Sequence, residues 1–157
     1  MRTSLNGINL IKTFEGFSAV PYLCPAKYLT IGYGHVVEET GIRKLEAGKE
    51  KIPVSSFQYP ITRLQAEEIL RNDLIRFELA VKKLITAPIN QNQFDALVSF
   101  TYNLGAGALQ RSTLRSKVNR LEHELAACEF LKWIYASGRK LSGLVARRRA
   151  EAEIYLS

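Results

Sequence analysis

Four apolar side chains near the start of the chain are each three residues apart, the spacing of one helix face: Leu5, Ile8, Ile11 and Phe14. Thr3 or Ser4 can cap the first turn, and Gly16 is a residue at which helices commonly end. The pattern predicts a first helix over residues 3–15.

Glycines interrupt the apolar pattern in the next region, residues 27–37. Gly32 and Gly34 flank a tyrosine there, and glycines inside a strand pattern mark bends where a ligand can approach the backbone closely. We expect a bent hairpin or a short sheet. Residues 37–60 have mixed charge and match no recognisable pattern, so we interpret them as a loop or an irregular strand region.

The longest apolar stripe in the chain follows a capping box formed by Thr62 and Gln65. Pro88 requires the helix to end before it, because proline lacks the backbone N–H that helices use. A connecting helix over about 63–85 is predicted, roughly 30 Å long at 1.5 Å per residue. Its apolar stripe contains Ile69, Leu70, Leu74, Phe77, Val81 and Leu84.

Helix signals also dominate the rest of the chain, so we predict that it is helical throughout. Asn90 with Gln93 caps one helix, which ends at Gly105, and Asn119 with Glu122 caps another. The second of these helices is expected to bury one stripe of residues: Leu121, Leu125, Cys128 and Leu131 or Lys132.

These elements predict an α+β fold with two lobes and a cleft between them. The chain has 157 residues, of which 46% are hydrophobic, enough for one domain with its own core. We expect a small sheet-bearing lobe over about 13–62 and a helical lobe over 86–157, joined by the connecting helix. The helix over 3–15 is expected to pack on the helical lobe.

Composition narrows the possible partners. The formal charge of +7 favours a polyanionic partner, while no apolar run is long enough for stable membrane insertion or a signal peptide. We therefore expect a product made in the cytoplasm. Cys24 and Cys128 are expected to be two thiols, and no cysteine and histidine spacing suggests zinc. Neither a metal nor another cofactor is predicted.

Glu15 is the first candidate for chemistry, because it ends the first predicted helix. The negative end of the helix dipole and the apolar neighbours Phe14 and Phe17 both favour its protonated form. Such an acid can donate a proton to the leaving oxygen of a sugar. A frayed, solvated surface glutamate is the alternative, and is more common for this residue type.

A longer pattern begins with Glu15, Cys24 and Thr30, which are followed by the run Ile-Gly-Tyr-Gly-His at residues 31–35. With the segment 93–105, Trp133 and the segment 143–151, this pattern resembles the phage-type lysozymes, the endolysin muramidases that cut bacterial peptidoglycan. The resemblance covers nearly the whole chain except about 37–60. It implies a lysozyme-like fold.

The resemblance implies three catalytic positions. Glu15 matches the general acid, and Thr30 would hold the attacking water with its hydroxyl. The middle position is usually aspartate but is Cys24 here, as in one branch of the family. A thiol with a pKa of about 8.5 is mostly neutral at pH 7, so Cys24 could be a base, a nucleophile, a water anchor or only a buried small residue. Aspartate members would invert the anomeric centre, and for a thiolate retention stays open.

The resemblance also implies a structural pair and a set of substrate contacts. His35 is expected to pair with Asp73 and to stabilise the fold more than it serves the reaction. The expected substrate contacts lie on the two walls of the cleft: Gly32 and Tyr33 on one, and Phe100, Asn103 and Leu104 on the other. Three further apolar residues of the same helix are expected in the core: Phe94, Leu97 and Tyr102.

The implied function is hydrolysis of the β-1,4 bond between N-acetylmuramic acid and N-acetylglucosamine during host cell lysis. By resemblance we expect a monomer made in the host cytoplasm that needs a holin to reach the periplasm, where peptidoglycan is its partner. A peptidoglycan-binding protein without activity is the main alternative, because Cys24 replaces the usual acid. Nucleic-acid binding is remote, because we expect Arg147, Arg148 and Arg149 to form a solvated face paired with Glu151 and Glu153.

Overall fold

The computed structural model describes residues 1–24, 29–37 and 58–157. None of the helices in these ranges is both long and apolar enough to cross a membrane. In chain order the elements are α1 (Leu5–Glu15), β1 (Ser18–Leu23), β2 (Leu29–Gly32), β3 (His35–Val36), α2 (Arg63–Leu84), α3 (Gln91–Leu104), α4 (Ala106–Arg111), α5 (Thr113–Asn119), α6 (His123–Phe130), β4 (Tyr135–Ala136), β5 (Arg139–Lys140) and α7 (Ser142–Leu156).

The chain divides into two compact units. The helical unit comprises Met1–Phe14 and Leu74–Ser157, and the sheet unit comprises Glu15–Asp73. The boundary lies inside α2, whereas we expected that helix to be a separate connector. The helical unit also includes α1 up to Phe14.

The sheet unit contains a three-stranded antiparallel sheet in the order β1-β2-β3. Tyr22 lies opposite Thr30, and the register of β1 on β2 shifts between Ser18 and Tyr22. The predicted sheet is confirmed over the described residues 29–37, while residues 27 and 28 lie outside the description. The sequence analysis missed β1.

Gly32 is required for its position at the end of β2. Its φ of +64° is one that side-chain-bearing residues rarely adopt, and an added Cβ would lie 3.3 Å from the Cβ of Ala66 in α2. Gly34 has a φ of +92° in the turn that follows. Glycine therefore allows β2 to approach α2 closely and turn at once into β3.

The first helix ends as predicted, with Glu15 as its last residue and Gly16 at a φ of +70°. Its buried face is rotated from the predicted one, because Leu5 is exposed and Gly7 and Leu10 are buried. A side chain at Gly7 would lie 2.8 Å from Cγ of Asp95, so glycine permits the close approach of α1 to α3.

Two buried carboxylates hold the start of α1. The backbone N–H of Thr3 and its hydroxyl donate to Oε1 of Glu78 at 2.8 and 2.7 Å. Ser4 donates its backbone N–H to Oδ1 of Asp95 at 3.0 Å and its hydroxyl to Oδ2. These bonds satisfy N–H groups that a helix start otherwise leaves without partners.

The capping boxes predicted at the starts of α2 and α3 are confirmed. At α2, Thr62 N–H donates to Gln65 at 2.8 Å, and the Thr62 hydroxyl accepts from Gln65 N–H at 3.2 Å. At α3, Asn90 and Gln93 exchange the same two bonds, and the helix ends before Gly105. The buried residues of α2 and of the position just after it are Ala66, Leu70, Leu74, Glu78, Val81 and Ile85. Three of the six residues of the predicted apolar stripe are among them: Leu70, Leu74 and Val81.

The predicted cap at Asn119 is wrong. Asn119 ends α5, and its side chain accepts from Thr86 N–H at 2.8 Å and donates to the carbonyl of Leu84 at 3.0 Å. Glu122 precedes α6 without capping it through its side chain. Asn119 therefore holds the end of α2, a partner 33 residues earlier in the chain.

The predicted face of α6 is also wrong. Cys128 is exposed. The same helix buries three other residues: Ala126, Ala127 and Phe130. The predicted leucines Leu121, Leu125 and Leu131 are all exposed. Successive helix residues differ by about 100° in direction, so an error of one or two positions in the predicted stripe exchanges the buried and exposed faces.

The second half of the chain is not helical throughout. Strands β4 and β5 form an antiparallel hairpin that pairs Tyr135 with Lys140 and Ala136 with Arg139. Its two turn residues, Ser137 and Gly138, have φ values of 50° and 75°. Positive φ at both positions is the requirement of the tightest common hairpin turn, and Ser-Gly is a weaker sequence signal for it than Asn-Gly.

Candidate active site

Glu15 and its neighbour Phe17 begin the sheet unit. The centroid of the Phe17 ring lies 5.6 Å from that of Tyr33. The guanidinium carbon of Arg63 lies over the Phe17 ring, 4.5 Å from its centroid. Phe17, one of the two apolar neighbours predicted for Glu15, therefore contacts both an aromatic ring and a cation.

Cys24 and Thr30 lie on the sheet. Cys24 directly follows β1 and is partly exposed, and Thr30 lies within β2 with 3% of its surface exposed. Cys24 and Cys128 both carry a thiol, with no disulfide between them. The sheet unit thus contains all three residues proposed for the chemistry: Glu15, Cys24 and Thr30.

Tyr22 was not singled out from the sequence. Burial raises the pKa of the Tyr22 phenol, and the negative charges of Cys24 and then of Glu15 raise it further. The phenol is therefore within electrostatic reach of both candidate catalytic groups. The available sequence signal was its position two residues before Cys24.

The predicted pair of His35 and Asp73 is confirmed. Nδ1 of His35 lies 2.8 Å from Oδ2 of Asp73, with 25% and 20% of the two side chains exposed. His35 begins β3 and Asp73 lies in α2, so the bond joins the sheet to the helix within the sheet unit.

Tyr33 is more buried than a residue on an open binding surface would be. It is 4% exposed, and it packs against Phe17. Neighbouring Gly32 presents backbone only, and it is buried against α2.

The end of α3 contains the other residues predicted to contact substrate. Phe100 is fully buried, with the rings of Phe130 and Trp133 packed edge-on at 5.6 and 5.4 Å. Asn103 is half-buried, and its side-chain oxygen accepts a hydrogen bond from Arg148. Leu104 is partly exposed. Phe100 would have to move before it could touch a ligand.

The three consecutive arginines do not form the expected solvated face. Arg147 and Arg148 are buried, and only Arg149 is exposed. Glu151 lies 3.2 Å from Nε of Arg147, which confirms that predicted pair, and 2.8 Å from Nη1 of Arg148. Consecutive helix positions differ by about 100° in direction, so two of three can face the core if a carboxylate compensates them.

Ser99 completes this arginine network by donating its hydroxyl to Glu151 at 2.7 Å. Burial raises the pKa of Glu151, and the charges of Arg148 and Arg147 and the hydrogen bond from Ser99 oppose that shift. Since arginine stays protonated in proteins, the carboxylate is the partner that keeps two buried cations compensated.

The model of the phage lysozyme family matches residues 12–151. The chain belongs to that family. It is 42% identical to the endolysin of Bacillus phage B103 over its full length, but it spans only about 55% of that relative's length.

Two solved structures resemble the chain over nearly its whole length. One is a mutant of the lysozyme of phage P22, with 34% identity, a TM-score of 0.81 and coverage of 100% of this chain and 99% of that one. The other is the muramidase domain of SpmX from Asticaccaulis excentricus, with 32% identity, a TM-score of 0.80 and coverage of 99% and 98%. The α+β lysozyme-like fold expected from the sequence is thereby confirmed.

Within the described residues, no three histidine, cysteine, aspartate or glutamate side chains are grouped so that they could hold a metal ion.

Proposed function

We propose that the protein hydrolyses the β-1,4 bond between N-acetylmuramic acid and N-acetylglucosamine in bacterial peptidoglycan. The observation that carries the proposal is family membership over residues 12–151 together with Glu15 at the end of α1. Relatives named endolysin and a structure named a muramidase domain support this activity. Host cell lysis is the proposed biological role.

Glu15 is the proposed general acid. It gives its proton to the glycosidic oxygen as the bond from that oxygen to the anomeric carbon breaks, and positive charge develops on the sugar ring. General acid catalysis of this kind is worth about 10²–10⁴ in rate. The carboxylate left behind is reprotonated from solvent before the next cycle.

Cys24 and Thr30 are proposed to act on the attacking water. The Thr30 hydroxyl can accept from and donate to the water, and ionised Cys24 takes the proton that the water loses as its oxygen bonds to the anomeric carbon. This sequence inverts the anomeric centre. If instead the sulfur attacks the sugar, a thioglycoside forms and is hydrolysed with net retention. The anomer of the first product distinguishes the two routes.

Gly32, Tyr33, Asn103 and Leu104 are proposed as substrate-binding positions. Gly32 can offer backbone groups. The side-chain oxygen of Asn103 accepts from Arg148, and its NH₂ group can donate to a substrate. For Phe100 we propose an indirect role, because its burial against Phe130 and Trp133 positions the end of α3.

The net charge of +7 supports association with the carboxylates of peptidoglycan, and such association weakens as salt screens it. We propose that the enzyme acts as a monomer in the periplasm and that a holin opens the inner membrane for it. Expression in the cytoplasm alone should leave cells intact, and chemical permeabilisation of the inner membrane should then cause lysis.

The decisive experiment compares the reduced wild-type protein with Glu15→Gln on purified peptidoglycan. We expect the wild type to release muramic-acid reducing ends and the variant to lose about 10²-fold or more of that rate. Melting temperature and sedimentation with peptidoglycan should be retained in the variant.

One observation favours a second candidate, a peptidoglycan-binding protein without activity: Cys24 stands where the family usually has aspartate. Sedimentation with peptidoglycan but no release of reducing ends by the wild type would establish that alternative. The same assay applied to Cys24→Asp gives a further test. If the wild type is inactive only because it lacks this carboxylate, Cys24→Asp should release reducing ends.

A further inference from the structure

We propose that Tyr22 is a positioning residue of the active site, whose phenol O–H stabilises the ionised form of Cys24. The proposal rests on the proposed function for its catalytic consequence, but its first test is independent of activity. It concerns a residue outside the pattern Glu15, Cys24 and Thr30, and it explains how a thiol can occupy the middle position.

The sheet register supplies the geometry. Tyr22 lies directly opposite Thr30 in the antiparallel pair of β1 with β2. Residues directly opposite one another project to the same face of a sheet, and so do residues two apart along one strand. Tyr22 is therefore on the face that it shares with Thr30, and Cys24 directly follows the strand two residues further along.

Electrostatics agree with this placement. The ionised forms of Cys24 and Glu15 both act on the Tyr22 phenol and raise its pKa, after the larger effect of burial. The phenol consequently keeps its proton over the range in which a cysteine ionises, near pH 8.5. A phenol that stays protonated is a hydrogen-bond donor, and a donor favours the charged form of a neighbouring thiol.

Two other ionisable groups lie near β1 in the described residues, Arg63 and Tyr59. Strand β2 contributes none, since its residues are Leu, Thr, Ile and Gly. Arg63 stacks on Phe17 near the start of β1, and Tyr59 belongs to the segment in which Ile61 N–H donates to the carbonyl of Ala19 at 2.9 Å. Tyr22, and neither Arg63 nor Tyr59, is the direct cross-strand partner of Thr30.

Tyr22 is also accessible enough to serve a site. Its surface is 39% exposed, whereas Thr30 opposite it is 3% exposed. A residue that only filled the core would be expected to have the lower value. The replacement Tyr22→Phe removes a single oxygen from a partly exposed ring, so it should leave the fold intact.

The first test measures the ionisation of Cys24 directly. In a Cys128→Ser background, which removes the exposed second thiol, the alkylation rate of Cys24 by iodoacetamide is followed from pH 5 to 10 and gives the thiol pKa. We expect Tyr22→Phe to raise that pKa by about one unit, because a hydrogen bond to an ionised group is worth at least one tenfold step. Tyr22→Gln, which supplies an amide donor, should restore part of the shift.

An unchanged thiol pKa in Tyr22→Phe would overturn the proposal, whether or not the protein cleaves peptidoglycan. Conversely, a shifted pKa in a protein without muramidase activity would leave the Tyr22 inference standing and refute the proposed function. Near-ultraviolet circular dichroism and the melting temperature check that both variants are folded.

The second test is a double-mutant cycle on the reaction rate. With Cys24 present, Tyr22→Phe should lower kcat at pH 7 by about tenfold and move the acidic limb of the pH profile upward, with KM little changed. With Cys24→Asp, the carboxylate is already ionised at that pH, so the same change at Tyr22 should cost much less. Equal losses in both backgrounds would show that Tyr22 does not act through Cys24.

Discussion

The two units of the protein use polar side chains in different ways. In the helical unit, buried charged groups such as Glu78, Asp95 and Glu151 are surrounded by protein donors. In the sheet unit, Cys24 and Tyr22 are only partly buried. Charges enclosed by protein partners hold the packing together, while partly solvated groups can meet a ligand, so we propose a structural role for the first set and a role in the chemistry for the second.

Glu15→Gln and Glu151→Gln, identical changes in different units, test this comparison most strongly. Removing one partner from a buried ion pair typically costs about 3–5 kcal/mol, so we expect Glu151→Gln to lower the free energy of unfolding by about 3 kcal/mol. Glu15→Gln should leave it nearly unchanged. Chemical denaturation measures both.

Glu153→Gln is the matched control for Glu151→Gln, because it lies two residues later in α7 and is exposed. Exposed substitutions usually change stability by less than about 0.5 kcal/mol. If Glu151→Gln behaved like Glu153→Gln, the arginine network would not stabilise the helical unit.

Asp95→Asn should have the next largest effect. Oδ1 of the carboxylate accepts from Ser4 N–H at 3.0 Å and from the Gln91 amide at 2.8 Å, and Oδ2 accepts from the Ser4 hydroxyl. An asparagine has one accepting oxygen, so it would lose one of these two sets of bonds. We expect a loss of about 1–3 kcal/mol in the free energy of unfolding. Glu124→Gln, at an exposed position of α6, is the control, and an equal small loss in both would refute the anchoring role of Asp95.

His35→Gln examines whether the sheet unit also contains a residue that serves stability. The pair with Asp73 is about a fifth to a quarter exposed, so its loss should cost no more than about 1 kcal/mol. We expect the melting temperature to fall while kcat on peptidoglycan changes by less than about twofold. A large fall in kcat with unchanged stability would make His35 part of the chemistry.

The smallest effect should come from Glu122, a partly exposed acid of the helical unit. A hydrogen bond from Lys117 lowers the pKa of Glu122 below its ordinary value of 4.5. A lowered folded-state pKa gives stability that is present above pH 4.5 and lost as pH falls through the folded value. Glu122→Gln should therefore flatten the acid side of a plot of melting temperature against pH. An unaltered acid slope would contradict this.

Local signals predicted local structure well. The boxes at Thr62 and Asn90 and the helix end at Gly16 depend on residues within four positions, and all are confirmed. The pair of His35 with Asp73, 38 residues apart, was predicted only through the family resemblance. Local patterns thus sufficed where a cap or a turn decided the structure.

The failures share a long-range cause. Asn119 has a good cap sequence, but its partners are at the end of α2, and Arg148 looks solvated until Glu151 and Asn103 are seen to enclose it. Cys128 lies on a face of α6 that only the packing of its neighbours could identify. For the candidate site, the sequence predicted Glu15, Cys24 and Thr30 but not Tyr22. Only the strand register shows that Tyr22 lies opposite Thr30.

The anchoring of α1 also has a consequence during synthesis. Thr3 and Ser4 are translated before the carboxylates that hold them, because Glu78 and Asp95 lie 75 and 91 residues further along the chain. On the ribosome α1 must therefore wait, without these partners, until Glu78 and Asp95 have been made. Contacts so distant along the chain form late and slow folding. The start of α1 is thus expected to dock later than its place in the order of translation suggests.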